Sequence, residues 1–120
     1  MPSMIIMVLM DLNKLEEVVD AWYTAGSCGV TVLESAGARY LLRAGARDDL
    51  PMFPSLHTLL SHQEVHHRTL FTVVGDEVDV TAFFDATEAV VGDLSQQDNG
   101  IMMALPVTEV RGIRKAGLPC

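Results

Sequence analysis

The side chains best suited to chemistry cluster in one stretch of the chain, between Ala36 and His67. Arg39, Arg43 and Arg47 follow one another at intervals of four residues, in a protein whose formal net charge is −8. Guanidinium groups bind phosphates and carboxylates through paired hydrogen bonds, so this stretch is a candidate anion clamp. The alternative interpretation is a solvated loop whose arginines pair with the protein's own carboxylates.

Four histidines lie in the same stretch, and His62 and His66 have the i, i+4 spacing that brings two imidazoles together on a helix. A metal ion is therefore one hypothesis for this segment. No HExxH motif and no nearby cysteine accompanies the pair, so chance clustering in a polar loop is the favoured interpretation.

The motifs of common enzyme classes are missing: the sequence has no nucleophile elbow, Walker loop or GxGxxG turn. Cys28 lies in an expected turn with no basic neighbour to activate its thiol, so we expect a small apolar role for it. Cys28 and Cys120 are the only cysteines, and two widely spaced thiols are more typical of a reducing compartment than of a disulfide framework. The sequence predicts a cytoplasmic protein that is not an enzyme.

Length and charge narrow the possible classes further. The 120 residues fit a single domain, 1–120, with one modest core. The acidic balance argues against non-specific binding to nucleic acid or to an anionic membrane surface. No apolar run is long enough to span a bilayer, and Met4–Met10 lacks the basic flank of a signal peptide.

A scaffold of strands and helices must position these residues. Apolar and β-branched runs predict four strands, at Met4–Met10, Val30–Leu33, Arg68–Val74 and Ile101–Leu105. A first helix is expected from Asn13, as its N-cap in a capping box with Glu16, to Gly26. Its apolar stripe comprises Leu15, Val18, Val19 and Trp22. A second helix is expected to begin at Asp79 and to end near Gly92.

The element order βαββαβ predicts an α+β fold, the ferredoxin-like sandwich. In it two helices cover one face of a four-stranded antiparallel sheet, and the connection between strands 2 and 3, about 36–67, is a long loop. Because the strands are almost continuously apolar while helices cover only one face, the bare face should be buried by self-association. The sequence therefore predicts a homo-oligomer.

Four segments taken in order resemble the P-II nitrogen-regulatory proteins and their P-II-like relatives: KLEEV from Lys14, GVTV from Gly29, RTLFTVV from Arg68 and LPV from Leu105. The resemblance implies a homotrimer with ligand clefts between neighbouring subunits. It also implies a regulatory function, in which a small-molecule effector, an adenine nucleotide in P-II proteins, is sensed. The long loop would then signal to a transporter or enzyme partner.

Carried over position by position, the resemblance implies a set of ligand-binding residues. Leu9, Gly29, Thr31 and Val73 match positions near the adenine and ribose, Gly37 matches a close backbone approach, and Arg39 follows it. Gly100 matches the end of a phosphate-facing loop. Arg114 matches a C-terminal phosphate-binding arginine, and His67 stands near the position of a phosphate-contacting lysine.

Some phosphate-binding positions of P-II proteins carry no cation here. Ile101 stands at a lysine position and Gly112 at an arginine position. Separately, no glutamine follows Arg39 for the sensing of 2-oxoglutarate. Each lost cation removes a charge-assisted hydrogen bond of about 1.5–3 kcal/mol. The sequence therefore predicts weak triphosphate binding and leaves the ligand open between a less charged adenine compound and another metabolite.

Two other functions remain open from the sequence. One is a trimeric metal-binding protein similar to the divalent-cation tolerance proteins, using His62 and His66. The other is a small enzyme on a ferredoxin-like fold, which has the least support because no convergent acid–base set is visible.

Overall fold

The computed structural model of the chain describes residues 1–38, 66–96 and 99–113. Most of the predicted long loop, together with Arg39, His62 and Arg114, lies outside these residues. The described elements, in chain order, are β1 (Ser3–Leu9), α1 (Leu15–Thr24), β2 (Thr31–Ala36), β3 (His66–Val74), α2 (Val80–Val91) and β4 (Ile101–Pro106).

The four strands form one antiparallel sheet in the spatial order β2-β3-β1-β4. The central pair is in register from Ser3 opposite Val74 to Leu9 opposite Arg68. With two helices and this strand order, the predicted α+β ferredoxin-like fold is confirmed. No helix in the described part of the chain has the length and apolar character needed to cross a bilayer.

The start of α1 differs from the sequence prediction. Asp11, and not Asn13, begins the turn: its side chain accepts a hydrogen bond from the Asn13 amide at 3.0 Å, opening a 3₁₀ turn at Leu12–Lys14. The α-helix proper then begins at Leu15 after Lys14, which makes no side-chain capping hydrogen bond. The predicted Asn13–Glu16 capping box is therefore wrong. The predicted end is confirmed, since Gly26 follows the helix with a φ of 123°.

The first helix packs on the sheet through its predicted stripe, and the second helix packs beside it. Val18, Trp22 and Phe83 are fully buried, and the Trp22 and Phe83 rings lie 5.2 Å apart at a tilted angle. Trp22 Nε1 donates to Thr87 Oγ1 at 2.9 Å, and that hydroxyl donates to the Phe83 carbonyl, also at 2.9 Å. The polar atoms at this interface thus satisfy one another without water.

Both faces of the sheet carry apolar side chains, but the two helices cover only one of them. On the face under the helices, Ile5, Met7 and Leu70 are fully buried. Side chains alternate along a strand, so their neighbours lie on the opposite face, on which no helix of the described residues packs. That face is also apolar, and its side chains include Leu33 at 49% exposure, Ile101 at 54%, Met103 at 38% and Leu105 at 41%. We call it the open face.

Thr87→Val tests the interface between the helices. Valine keeps the shape of threonine but leaves the buried Trp22 N–H without an acceptor, so the free energy of unfolding should fall by about 1–3 kcal/mol. Thr81→Val is the matched control, because Thr81 lies exposed on the same helix and its replacement should change stability by less than about 0.5 kcal/mol. Equal denaturant midpoints for the two variants would contradict this account.

Candidate ligand-binding cleft

A rigid turn joins α1 to β2. The Ser27 side chain is 3% exposed, and its Oγ lies 2.7 Å from Thr72 Oγ1 and donates to the Gly29 carbonyl at 3.1 Å. Thr72, itself 2% exposed, donates to the same carbonyl at 2.6 Å. These buried hydrogen bonds tie the turn to the central strand β3, so the backbone on both sides of Cys28 is held in place.

A cavity of about 420 Å³ lies against this turn. Val73 forms its floor on the open face of the sheet, and the segment after β4 forms its opposite wall. The lining residues are Cys28, Gly29, Val73, Val110, Arg111, Gly112 and Ile113. The cavity therefore has a mixed lining, with the aliphatic side chains of Val73, Val110 and Ile113 and the cationic side chain of Arg111.

The segment after β4 contributes that cation. Its last backbone hydrogen bond within the described residues runs from Val107 N to the Pro2 carbonyl at 2.9 Å. Arg111 Nη1 lies 3.1 Å from Glu109 Oε2, and the two side chains are 88% and 72% exposed. An ion pair this exposed contributes little, so Arg111 can exchange Glu109 for another anion at small cost.

The structure divides the predicted site residues between the two ends of the sheet. Gly29, Thr31 and Val73 lie at the cavity end, and Leu9, Gly37, His67 and Gly100 lie at the other end. His67 and Val73 are six residue steps apart along β3, which is about 20 Å at strand geometry. Within one subunit, the predicted site residues that the structure describes thus do not form a single pocket.

Leu9 and Gly100 have structural roles at that far end. The Leu9 side chain is 1% exposed and belongs to the core beneath the helices. Gly100 has a φ of 102°, and a Cβ atom there would collide with the Val8 carbonyl oxygen. Gly100 is therefore required for β4 to enter the sheet, whatever its part in ligand binding.

His67 lies in a polar cluster where β2 and β3 meet. It is 9% exposed, and its Nδ1 lies 2.6 Å from Ser35 Oγ, which accepts a hydrogen bond from Thr69 Oγ1 at 2.9 Å. The three side chains lie on the open face by strand alternation. An imidazole held in this way is a hydrogen-bonding group in a fixed position and not a mobile cation such as lysine.

An aspartate side chain holds the loop between α2 and β4 in its conformation, whereas a phosphate-binding loop leaves its hydrogen-bond donors available for the ligand. Asp93 accepts hydrogen bonds from the side chain and the amide of Ser95, at 2.7 and 2.9 Å, which hold the pKa of this carboxyl below its usual value. Asn99 Nδ2 donates to the Asp93 carbonyl at 2.7 Å. An ionised carboxylate at neutral pH makes this loop a poor partner for a phosphate group.

Cys28 differs from its prediction. We expected a free thiol with an apolar role, but Cys28 is disulfide-bonded. The metal hypothesis concerns His62 and the side chain of His66, which lie outside the part of the chain that the structure describes. Across the described ranges, no three histidine, cysteine or acidic side chains converge as metal ligands do.

Sequence reasoning missed Arg111, which lines the cavity, and selected Arg114, which lies outside the described residues. The sequence holds a basic residue at both positions, and nothing local ranks one above the other. Which arginine lines the cavity depends on how the segment after β4 packs against the Cys28–Gly29 turn.

Comparisons with known proteins concern the fold. No protein-family profile matches the chain, and no curated protein matches it. Among solved structures the chain is similar to B. subtilis GlnK, a P-II protein, with a TM-score of 0.56 and 10% sequence identity. The match covers 90% of this chain and 87% of the GlnK chain. At this identity the likeness shows the fold alone: the chain has the P-II-type fold, as the resemblance implied.

Gly100→Ala tests the far end of the sheet. Because the substitution imposes a positive φ on alanine and a collision with Val8, the free energy of unfolding should fall by about 1–3 kcal/mol. Gly29→Ala is the matched glycine control, since no atom lies within 4 Å of the added Cβ. Its stability should match the wild type, as measured by chemical denaturation. A Gly100→Ala variant as stable as Gly29→Ala would refute the close approach.

Proposed function

We propose that the protein is a P-II-like regulatory protein, a homotrimer that binds a small adenine-containing effector in clefts between its subunits. The observation that carries this proposal is the cavity between Gly29, Val73 and Arg111. Two of the four positions where the sequence resemblance expects adenine and ribose, Gly29 and Val73, line this cavity. The P-II-type fold supports the proposal independently of those residues.

The open face supports self-association. Four of its large apolar side chains are each more than a third exposed, and a contiguous patch of this kind is typical of an interface. Burying one such side chain stabilises an assembly by roughly 1.5–3 kcal/mol. Copies packed through this face would bring further residues to the edge of each cavity, and would turn it into a cleft between neighbours.

The lining indicates the kind of effector. Val73, Val110 and Ile113 offer apolar surface for a flat ring, and Gly29 leaves space beside it. Arg111 offers one cation for a phosphate. A single described cation favours a nucleotide with few phosphates over a triphosphate.

The regulatory partner is the least defined part of the proposal. The connection 39–65 has the place of the signalling loop of P-II proteins, and it carries three of the protein's eight basic residues. We propose that this connection responds to the effector and contacts a transporter or enzyme in the cytoplasm. A link to nitrogen metabolism is part of the same resemblance.

Adenine nucleotide binding can be measured by calorimetry with AMP, ADP and ATP. Arg111→Ala should weaken the binding of the preferred nucleotide by about 10- to 100-fold, because it removes a charge-assisted hydrogen bond. Glu109→Gln should bind at least as tightly as wild type, because it releases Arg111 from its ion pair. Lys14→Ala, on the opposite side of the fold, controls for net charge. No binding of any of the three nucleotides would overturn the ligand assignment.

The assembly can be measured by sedimentation at micromolar concentration. The wild type should sediment as a trimer, and Met103→Lys should shift it toward monomer by placing a charge on the open face. Tyr23→Lys is the control, since Tyr23 is an exposed apolar side chain on the helical layer, at 48% exposure. A well-folded wild-type monomer would contradict the proposal.

A further inference from the structure

Two buried hydroxyl groups, of Ser27 and Thr72, lie beside the cavity without lining it. Their residues are 3% and 2% exposed, whereas Gly29 and Val73 line the cavity. Thr72 and Val73 are consecutive in β3, so their side chains leave the strand on opposite faces. The Thr72 hydroxyl therefore reaches the turn from the face under the helices, while Val73 forms the floor of the cavity on the open face.

Three hydrogen bonds join these two side chains to Gly29 in a closed ring. The Gly29 amide donates to Ser27 Oγ at 3.3 Å, and Ser27 Oγ lies 2.7 Å from Thr72 Oγ1. Thr72 Oγ1 donates to the Gly29 carbonyl at 2.6 Å. With the Ser27 hydroxyl as the donor to Thr72, each of the three residues donates one hydrogen bond and accepts one. The same hydroxyl can also turn to the Gly29 carbonyl, 3.1 Å away.

This ring is what holds the Gly29 backbone in place. Gly29 makes no backbone–backbone hydrogen bond with the other described residues, and it belongs to no helix or strand. A Cβ atom at this position would meet no atom within 4 Å beyond its chain neighbours, so packing does not restrain it either. Buried hydrogen bonds in a chain polarise one another, which makes the ring stronger than its separate members.

We propose that Ser27 and Thr72 are positioning residues of the cavity, which set its affinity for the effector by holding the Gly29 backbone in one orientation. Without the ring, Gly29 samples many backbone conformations, because glycine is the least restricted residue. The turn then has its binding conformation for only part of the time, and the apparent affinity falls by the same fraction. The effect on binding rests on the function proposed above, whereas the effect on the turn does not.

Substitutions at Thr72 separate the hydroxyl group from the packing of the side chain. Thr72→Val keeps the shape and removes the hydroxyl, so AMP should bind about tenfold more weakly in calorimetry. Thr72→Ser keeps the hydroxyl and loses one buried methyl group, so it should lower stability but bind AMP within about threefold of the wild type. Ser27→Ala opens the ring at its other hydroxyl and should match Thr72→Val. It also provides the test if Thr72→Val does not fold.

Thr87→Val is the matched control for a loss of stability. Thr87 is as buried as Thr72, and its hydroxyl accepts a hydrogen bond from Trp22 between the two helices. This variant should be destabilised as predicted above and should bind AMP like the wild type. A general effect of destabilisation would weaken AMP binding in Thr87→Val and Thr72→Ser as well, whereas a positioning effect is confined to Thr72→Val and Ser27→Ala.

Hydrogen exchange at residues 28–30 measures the turn without any ligand. The amides there should exchange about tenfold faster in Thr72→Val and in Ser27→Ala, because the opened ring no longer restrains the turn. Their exchange in Thr72→Ser and Thr87→Val should match the wild type. Equal exchange rates in Thr72→Val and Thr87→Val would overturn the proposal, whether or not AMP binds.

The AMP titrations give two further outcomes that would overturn the positioning role. One is a Thr72→Ser variant that binds AMP as weakly as Thr72→Val, since packing and not the hydroxyl would then decide the affinity. The other is a Thr72→Val variant that binds AMP as tightly as Thr87→Val. A wild type that does not bind AMP contradicts the ligand of the proposed function, and the exchange rates still decide whether the two hydroxyls hold the turn.

Discussion

Two helices can cover only one face of a four-stranded sheet, and both faces of this sheet are apolar. The helices bury Ile5, Met7 and Leu70 completely, while Leu33, Ile101 and Leu105 on the other face remain 41–54% exposed. Because removing apolar surface from water is favourable, leaving this face exposed costs free energy just as burying the core gains it. The proposed assembly, the proposed cleft at its seams and the proposed regulatory role all depend on how that face is buried.

The two walls of the cavity differ in how firmly hydrogen bonds hold them to the sheet. Its turn is tied to β3 by the buried hydroxyls of Ser27 and Thr72, and its other wall leaves the sheet after Val107. A binding site made of one rigid and one loosely held wall can change shape at small cost, because only the second wall has to move. This property is compatible with the sensor function proposed above.

Charge is distributed so that the described part of the fold has little to attract a phosphate. Of the eight basic residues, the described ranges hold Lys14, Arg68 and Arg111, and Arg68 lies 3.8 Å from Glu34 on the neighbouring strand. The remaining five are Arg39, Arg43, Arg47, Arg114 and Lys115. In the described ranges Arg111 is therefore the one basic residue that lines the cavity, and the loop between α2 and β4 contains no basic residue.

The sequence by itself determined the element order, the buried stripe of α1 and several of the helix ends. Those features depend on neighbours three or four residues apart, as when Asp79 caps α2 through the Ala82 amide at 3.1 Å. The Asn13 cap failed because Asp11 competes for the same first turn, and spacing alone does not rank two such residues.

The tertiary structure alone decided the cavity, the role of Arg111 and the bonded state of Cys28. The cavity wall joins residues 28–29, 73 and 110–113, which lie far apart in the sequence. Their meeting depends on the order β2-β3-β1-β4 and on where the chain goes after β4. Periodicity and capping describe contacts within one element, so they carry no information on which distant residues share a wall or a covalent bond.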